Sequence, residues 1–197
     1  MKHIYINKES NDTIIILHGT GGNEEEMLPL AKEIDAKANI LSIRGNVIEN
    51  GMYRYFKWFK PGVYDLENYK LETNNLILAI KDFSEKYNFS LKNATLVGFS
   101  NGANIILGVI QTNPLIDNYI LYSPDYINLN EGFNSLTNKN IFISTAENDP
   151  YVNYSNILLL INRLKEVKAN VEVLNSSGHQ INMVVLESSI NWYNNIK

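Results

Sequence analysis

Short apolar runs rich in β-branched residues alternate along the chain with segments of helical period. Seven runs predict strands, at residues 4–7, 13–17, 39–43, 94–99, 118–122, 140–144 and 170–174. Between them, apolar residues spaced three or four apart, such as Leu76, Ile80, Phe83 and Tyr87, predict helices. Strands that are apolar along their whole length need cover on both faces. The pattern therefore predicts an α/β fold with a mostly parallel seven-stranded sheet and helices on both faces.

Two stretches, 45–70 and 123–139, lack a clear period. Strands and helices flank both of them, so we predict that they are loops of one domain covering residues 1–197, in agreement with the usual domain size of about 100–200 residues. Only 16 residues separate Ser123 from Asn140. That length predicts a minimal cap or none, and hence a shallow, open site.

Composition and charge exclude several classes of function and of binding partner. The chain has 17 Lys and Arg against 21 Asp and Glu, a net charge of −4 without a basic block, so nucleic acid is not an expected partner. It has no cysteine, which excludes thiolate nucleophiles and metal sites of the Cys type. We also find neither a membrane span nor an apolar leader at the N-terminus, and expect a cytoplasmic protein. The sequence does not decide between a monomer and a homodimer.

The predicted strand 94–99 runs into Gly98-Phe99-Ser100-Asn101-Gly102, and an apolar helical run follows directly. Strand, tight turn and helix are the context of a nucleophile elbow, in which glycines on both sides of the serine avoid backbone clashes. By itself the motif also fits a glycine-rich loop with a helix-capping serine.

The predicted strand 13–17 continues as His18-Gly19-Thr20-Gly21-Gly22-Asn23. Its backbone N–H groups, together with that of Asn101, are candidates for an oxyanion hole. A phosphate-binding loop is the alternative, but no Walker lysine follows, and Glu24, Glu25 and Glu26 at the expected helix start would repel phosphate. We expect these glutamates to complement the helix dipole, and His18 to brace the loop by hydrogen bonding.

A serine nucleophile needs a histidine base, and the histidine needs an orienting carboxylate. The last two predicted strands lead into loops with Asp149 and His179. The order Ser100, Asp149, His179 is the one that α/β-hydrolases use. Of the other histidines, His3 lies at the start of the first predicted strand, away from this site.

The chain resembles the small bacterial carboxylesterase/phospholipase branch of the α/β-hydrolase superfamily, in the segments HGTGGNEEEMLPLAKEI, LSIRGNVIENGMYRYFKW, VGFSNGAN, ISTAENDPYV and SGHQIN. It is similar in particular to the hydrolases associated with quinone and hydroquinone stress in Gram-positive bacteria. The resemblance implies a bacterial serine esterase with Ser100 as nucleophile, His179 as general base and then acid, and Asp149 as orienting acid. It implies the N–H groups of Thr20 and Asn101 as oxyanion hole.

One departure from the family is Ala146 where glycine is usual, and Glu147 offers a rival carboxylate. We favour Asp149, because the Asp-Pro turn matches the family.

The aromatic stretch 51–59 is either a local core or a wall of the substrate pocket. As pocket residues we select Met52, Tyr53 and Phe56. Arg44 and Arg54 could bind a substrate carboxylate, but pairing of such an arginine with Asp65 or Glu67 as a loop brace is the favoured interpretation.

The predicted function is hydrolysis of small acyl or aryl carboxylic esters through an acyl-enzyme, without cofactor or metal. The alternatives are a thioesterase or lysophospholipase with the same triad, or a hydrolase-fold ligand-binding or sensing module with negligible turnover.

Overall fold

The central feature of the computed structural model, which describes residues 1–60 and 62–197, is a seven-stranded sheet. In chain order the elements are β1 (His3–Ile6), β2 (Thr13–Leu17), α1 (Leu28–Ile34), β3 (Asn39–Ile43), β4 (Val47–Glu49), β5 (Met52–Arg54), β6 (Trp58–Lys60), β7 (Val63–Tyr64), α2 (Leu66–Tyr87), a 3₁₀ turn (Leu91–Asn93), β8 (Ala94–Phe99), α3 (Asn101–Thr112), β9 (Asn118–Tyr122), β10 (Asn140–Thr145), α4 (Tyr154–Glu166), β11 (Asn170–Asn175) and α5 (Met183–Asn195).

The strand order is β1-β3-β2-β8-β9-β10-β11, and every pair is parallel except β1 with β3. The predicted mostly parallel seven-stranded sheet is confirmed. Since parallel strands share one carboxyl edge, the segments that follow β2, β8, β10 and β11 meet there. That edge carries the predicted catalytic segments.

Alternate side chains of the central strands enter two cores. Ile15 and Leu17 on β2 pack with residues of α2, α3 and α4, whereas Ile14 and Ile16 pack with residues of α1 and α5. All four side chains are fully buried. Burial on both faces explains why these strands are uninterrupted apolar runs.

The stretch 45–70 contains more structure than its sequence pattern indicates. Two antiparallel hairpins form in it, β4 with β5 and β6 with β7, before α2 begins. The stretch 123–139 contains neither helix nor strand, so no cap helix lies in it. Among the described residues, none of the helices has the length and apolar character needed to cross a bilayer.

The start of α1 differs from the prediction. The helix begins at Leu28, after a turn in which the Asn23 side chain accepts hydrogen bonds from the N–H groups of Glu25 and Glu26. Glu24 is buried and forms ion pairs with Lys2 at 2.6 Å and Arg44 at 3.6 Å. This glutamate therefore anchors the turn by ion pairing, and does not sit in the first turn of the helix.

Candidate active site

Ser100 lies on the sharp turn between β8 and α3, with φ 51° and ψ −114°. A Cβ on Gly98 would lie 2.6 Å from the carbonyl carbon of Gly102, and one on Gly102 would lie 2.6 Å from the carbonyl oxygens of Leu17 and His18. Real Cβ atoms do not approach backbone so closely, so both flanking positions require glycine. The positive φ of a non-glycine residue stores strain at this turn, as at many functional sites. The geometry is that of a nucleophile elbow.

A continuous hydrogen-bond chain joins the serine to the two residues predicted to activate it. The Nε2 atom of His179 lies 2.8 Å from Oγ of Ser100, and its Nδ1 atom lies 2.7 Å from Oδ2 of Asp149. The histidine is partly buried, with the ring of Phe99 on one side and that of Tyr151 on another, both at 5.1 Å between centroids. The three side chains come from loops after β8, β10 and β11, which meet only in the fold.

The carboxylate that faces His179 belongs to Asp149, whose side chain is 2% exposed. Its second oxygen, Oδ1, accepts a hydrogen bond of 2.9 Å from the N–H of Tyr151. Glu147 is exposed, and within the described residues it forms neither a hydrogen bond nor an ion pair with His179. The loop of His179 is tied to the same turn, because the N–H of Gly178 donates to the Asn148 side chain at 2.9 Å.

Thr20 and Asn101 line the same cavity as Ser100. Asn101 is the first residue of α3, so its N–H has no partner within the helix. Around Thr20, the N–H of Gly21 donates to Tyr53 O and that of Gly22 to Gly19 O. The N–H of Thr20 makes no backbone hydrogen bond within the described part of the chain. The two predicted oxyanion donors are thus brought to one site.

His18 has the bracing position predicted for it. Its Nε2 accepts a hydrogen bond from the N–H of Gly45 at 3.1 Å, so its Nδ1 carries the proton and donates to Gly19 O at 2.6 Å. Burial lowers the pKa of His18, which agrees with a neutral ring. His3 lies at the outer strand β1 and hydrogen-bonds to the Tyr87 hydroxyl.

Tyr55 connects the aromatic stretch to the elbow. Its backbone N–H donates to Oδ1 of Asn101 at 2.7 Å, and its hydroxyl accepts from the N–H of His18 at 3.2 Å and donates to Ile43 O. The side chain is fully buried, as is that of Phe56. Much of the stretch 51–59 is therefore a local core, one of the two alternatives that the sequence left open.

The cavity above Ser100 has a volume of about 580 Å³. Trp58, Phe99, Tyr151 and Val152 supply apolar parts of its wall, and His179 closes one side. This volume falls within the range of small-molecule sites, about 300–1,000 Å³.

Met52, Tyr53 and Phe56, expected to form the pocket, are not among the residues that line it. Met52 is exposed on β5, and Tyr53 packs under the Arg44 guanidinium at 4.2 Å. Phe56 is buried edge-on against the ring of Tyr69. We correct the expected wall accordingly: Tyr53 and Phe56 pack locally, and Met52 is exposed on the hairpin.

The structure also corrects the expected pairing of the two arginines. Arg44 pairs with Glu24 at 3.6 Å, and Arg54 lies 3.5 Å from Glu49. Asp65, one of the partners expected for them, instead caps α2 by accepting from the N–H of Asn68. The hairpin β4–β5 brings Glu49 beside Arg54, a pairing that hydropathy does not encode.

Two polar residues of the wall, Tyr64 and Asp125, were not predicted from the sequence. Arg54, for which a bracing role was favoured, lines the cavity as well. The Tyr64 hydroxyl donates to Oδ2 of Asp125 at 3.0 Å, and the Asp125 N–H donates to the side chain of Asn104 at 2.7 Å. Burial raises the pKa of the Asp125 carboxyl. Its position directly after β9, at the carboxyl edge of the sheet, was the available signal.

Known proteins are similar to this chain over almost its whole length. No family model matches. A protein of Bacillus subtilis (strain 168) that carries the name of a hydrolase, MhqD, is 32% identical over 195 residues, which cover 98% of this chain and 98% of that protein. A carboxylesterase of Bacillus cereus is 32% identical, with a TM-score of 0.96 over 100% of this chain and 95% of that one. YahD, solved with malic acid, is 29% identical, with a TM-score of 0.93 over 100% and 99% of the two chains.

Proposed function

This chain belongs to the family of α/β-hydrolases that includes MhqD and the carboxylesterase of Bacillus cereus, and we propose that it hydrolyses small carboxylic esters with Ser100 as its nucleophile. The observation that carries the proposal is the hydrogen-bond chain from Ser100 through His179 to Asp149, at 2.8 and 2.7 Å. A serine on a strained turn, within reach of an imidazole that a buried carboxylate orients, is the arrangement of a serine hydrolase.

In the first step Oγ of Ser100 attacks the ester carbonyl carbon, and Nε2 of His179 takes the hydroxyl proton. Asp149 keeps the other ring proton on Nδ1, so Nε2 is free to accept. The negative charge that develops on the carbonyl oxygen is stabilised by the N–H groups of Thr20 and Asn101. Removing one such donor costs about 10²–10³ in rate in a well-studied protease.

His179 then returns the proton to the leaving alcohol, which departs and leaves an acyl group on Ser100. In the second half, His179 takes a proton from water, the hydroxide oxygen attacks the acyl carbon, and the proton returns to Ser100 as the acid leaves. The whole cycle uses the serine, the histidine, the aspartate and the two backbone N–H donors, and it needs no other residue.

The cavity favours short substrates. Its wall combines aromatic side chains with Arg54 and Asp125, and its volume of about 580 Å³ suits a small ester. A wall with charged side chains is a poor surface for a long acyl chain, because covering a charged group with methylenes removes water from it, which costs free energy. A thioester of a small acid would fit the same site, and a substrate panel separates the two.

The direct test of this function is the variant Ser100→Ala, with Ser177→Ala as the matched control. Ser177 is an exposed serine in the loop that carries His179. Hydrolysis of 4-nitrophenyl acetate and butyrate should be lost in Ser100→Ala and unchanged in Ser177→Ala, while circular dichroism shows both folded. If the folded Ser100→Ala variant hydrolysed these esters as fast as the natural chain, Ser100 would not be the nucleophile. Tight ligand binding with negligible turnover in the natural chain would instead indicate a sensing module.

A further inference from the structure

Arg54 is a buried cation in the wall of the cavity that holds Ser100. The residue is 3% exposed, yet it lines the cavity together with Ser100 and His179. Of the lysines and arginines in the described ranges, it alone lines this cavity. Burying a charge is costly even beside a carboxylate such as Glu49, which lies 3.5 Å from Nε, so the place of Arg54 beside the proposed nucleophile calls for a reason.

The hydrogen bonds of Arg54 leave most of its donors available. Nε donates to Phe56 O at 3.2 Å, and within residues 1–60 and 62–197 the two terminal nitrogens donate no hydrogen bond. The Cζ atom of Arg54 lies over the ring of Trp58, 4.3 Å from the ring centroid. This cation–π contact holds the group in place without using its N–H donors in a hydrogen bond. A guanidinium held in this way keeps the flat fork of N–H groups that matches a carboxylate.

The internal carboxylates do not satisfy this fork. Glu49 lies 3.5 Å from Nε, on the side already bonded to Phe56, and its Oε2 has no hydrogen bond from the described residues. Asp125, on the same cavity, accepts from Tyr64 instead. Burial raises the pKa of that carboxyl. Glu26, the other acid that lines the cavity, is exposed.

We propose that Arg54 binds a carboxylate on the substrate, so that the preferred esters of this enzyme are anionic, such as half-esters of short dicarboxylic acids or esters of small hydroxy acids. The proposal rests on the esterase function proposed above and specifies its substrate class. Arg54 is then a specificity-determining residue, whose charge selects the substrate while Ser100 and His179 carry out the chemistry.

The test compares esters that differ in one negative charge. For a charge on the acyl side, monoethyl glutarate is compared with ethyl pentanoate by ethanol release. For a charge on the alcohol side, 4-acetoxybenzoate is compared with phenyl acetate. The natural enzyme should show a kcat/KM at least about 10-fold higher for the anionic member of one pair, since hydrogen bonds to charged groups are worth about 1.5–3 kcal/mol or a factor of about 10–100. Equal values in both pairs would overturn the proposal.

Arg54→Met should lower kcat/KM for the preferred anionic ester about 10- to 100-fold, mainly through KM, and change the neutral ester less than about threefold. The matched control is Arg44→Met, which removes a neighbouring arginine that pairs with Glu24 and does not line the cavity. It should leave the anionic preference intact. An equal loss on both members of the pair in folded Arg54→Met would contradict a role in substrate recognition.

Arg54 is buried, so the methionine variant could fail to fold. In that case competitive inhibition of the natural enzyme, with a neutral ester as substrate, tests the proposal. The inhibition constant of glutarate should be at least about 10-fold lower than that of glutaramide. Equal inhibition constants would overturn the proposal. Failure of the esterase function is distinguishable, because the natural enzyme would then hydrolyse neither member of either pair. Calorimetry with glutarate and glutaramide would still test Arg54 on its own.

Discussion

Replacing Asp149 with asparagine should switch His179 to the wrong tautomer, because the neighbouring backbone fixes how the new amide is oriented. Oδ1 of Asp149 accepts from the N–H of Tyr151 at 2.9 Å, and Oδ2 faces Nδ1 of His179 at 2.7 Å. In the variant the amide oxygen must face the Tyr151 N–H, since two donors would otherwise oppose each other. The NH₂ group then donates to Nδ1, and the ring proton moves to Nε2. A protonated Nε2 cannot accept the Ser100 proton.

We expect Asp149→Asn to lower kcat strongly and to change the free energy of unfolding little. The same substitution in a serine protease lowers kcat by about 10⁴, and at about 1.4 kcal/mol for each factor of 10 this is about 5 kcal/mol of lost transition-state stabilisation. Side-chain volume and both hydrogen-bond positions are preserved, so unfolding by urea should shift little. Steady-state hydrolysis of 4-nitrophenyl butyrate measures the first quantity.

Glu147→Gln is the matched control, because it makes the same acid-to-amide change two residues away on an exposed side chain. It should alter kcat less than about threefold, as expected for a surface change remote from the chemistry. Our reasoning would be refuted if Asp149→Asn kept a tenth of the natural kcat. A greater loss in Glu147→Gln than in Asp149→Asn would show that the rival carboxylate orients the histidine.

Three further outcomes are expected. Burial raises the pKa of Asp125, so its ionisation lowers the stability of the folded chain as the pH rises above the pKa of an aspartate in the unfolded chain, about 3.9. The unfolding temperature of Asp125→Asn should therefore exceed that of the natural chain by more at pH 8 than at pH 4. The same difference in unfolding temperature at both pH values would contradict this. Tyr55→Phe leaves the N–H of His18 and the carbonyl of Ile43 without the Tyr55 hydroxyl as partner, at a cost of about 1–3 kcal/mol for each group. Urea unfolding should therefore show a loss of stability of about 2–6 kcal/mol, and a loss under about 0.5 kcal/mol would be evidence against this role. For 4-nitrophenyl esters from acetate to palmitate, kcat/KM should peak at short to medium length, because each methylene gains about 0.8 kcal/mol only while the cavity covers it; a steady rise to palmitate would indicate a tunnel.

The sheet could be predicted from sequence because its strands are buried on both faces. A strand such as β8 must be apolar throughout, and the helices around it carry a three-to-four spacing, so the two patterns differ strongly. The candidate site followed from the sheet, because Ser100, Asp149 and His179 each come directly after one of these strands. The common carboxyl edge brings them together, whatever the intervening chain does.

The wall of the cavity could not be predicted in the same way. The hairpins β4–β5 and β6–β7 have only two or three residues in each strand, too few to show a period. Which side chain faces the cavity depends on hairpin register, and a shift by one residue reverses the choice. Tyr53 and Arg54 are adjacent in sequence, yet Arg54 lines the cavity and Tyr53 packs under Arg44.

The measurement that tests the central claim most directly is covalent labelling by a fluorophosphonate, followed by peptide mapping of the modified residue. The reagent requires a serine activated as a nucleophile, so it reports the chemistry without knowledge of the natural ester. Our account predicts a single phosphonylated residue, Ser100, labelled rapidly in the natural chain and far more slowly in Asp149→Asn. Absence of labelling in folded, natural protein, or a label on any other serine, would contradict the account.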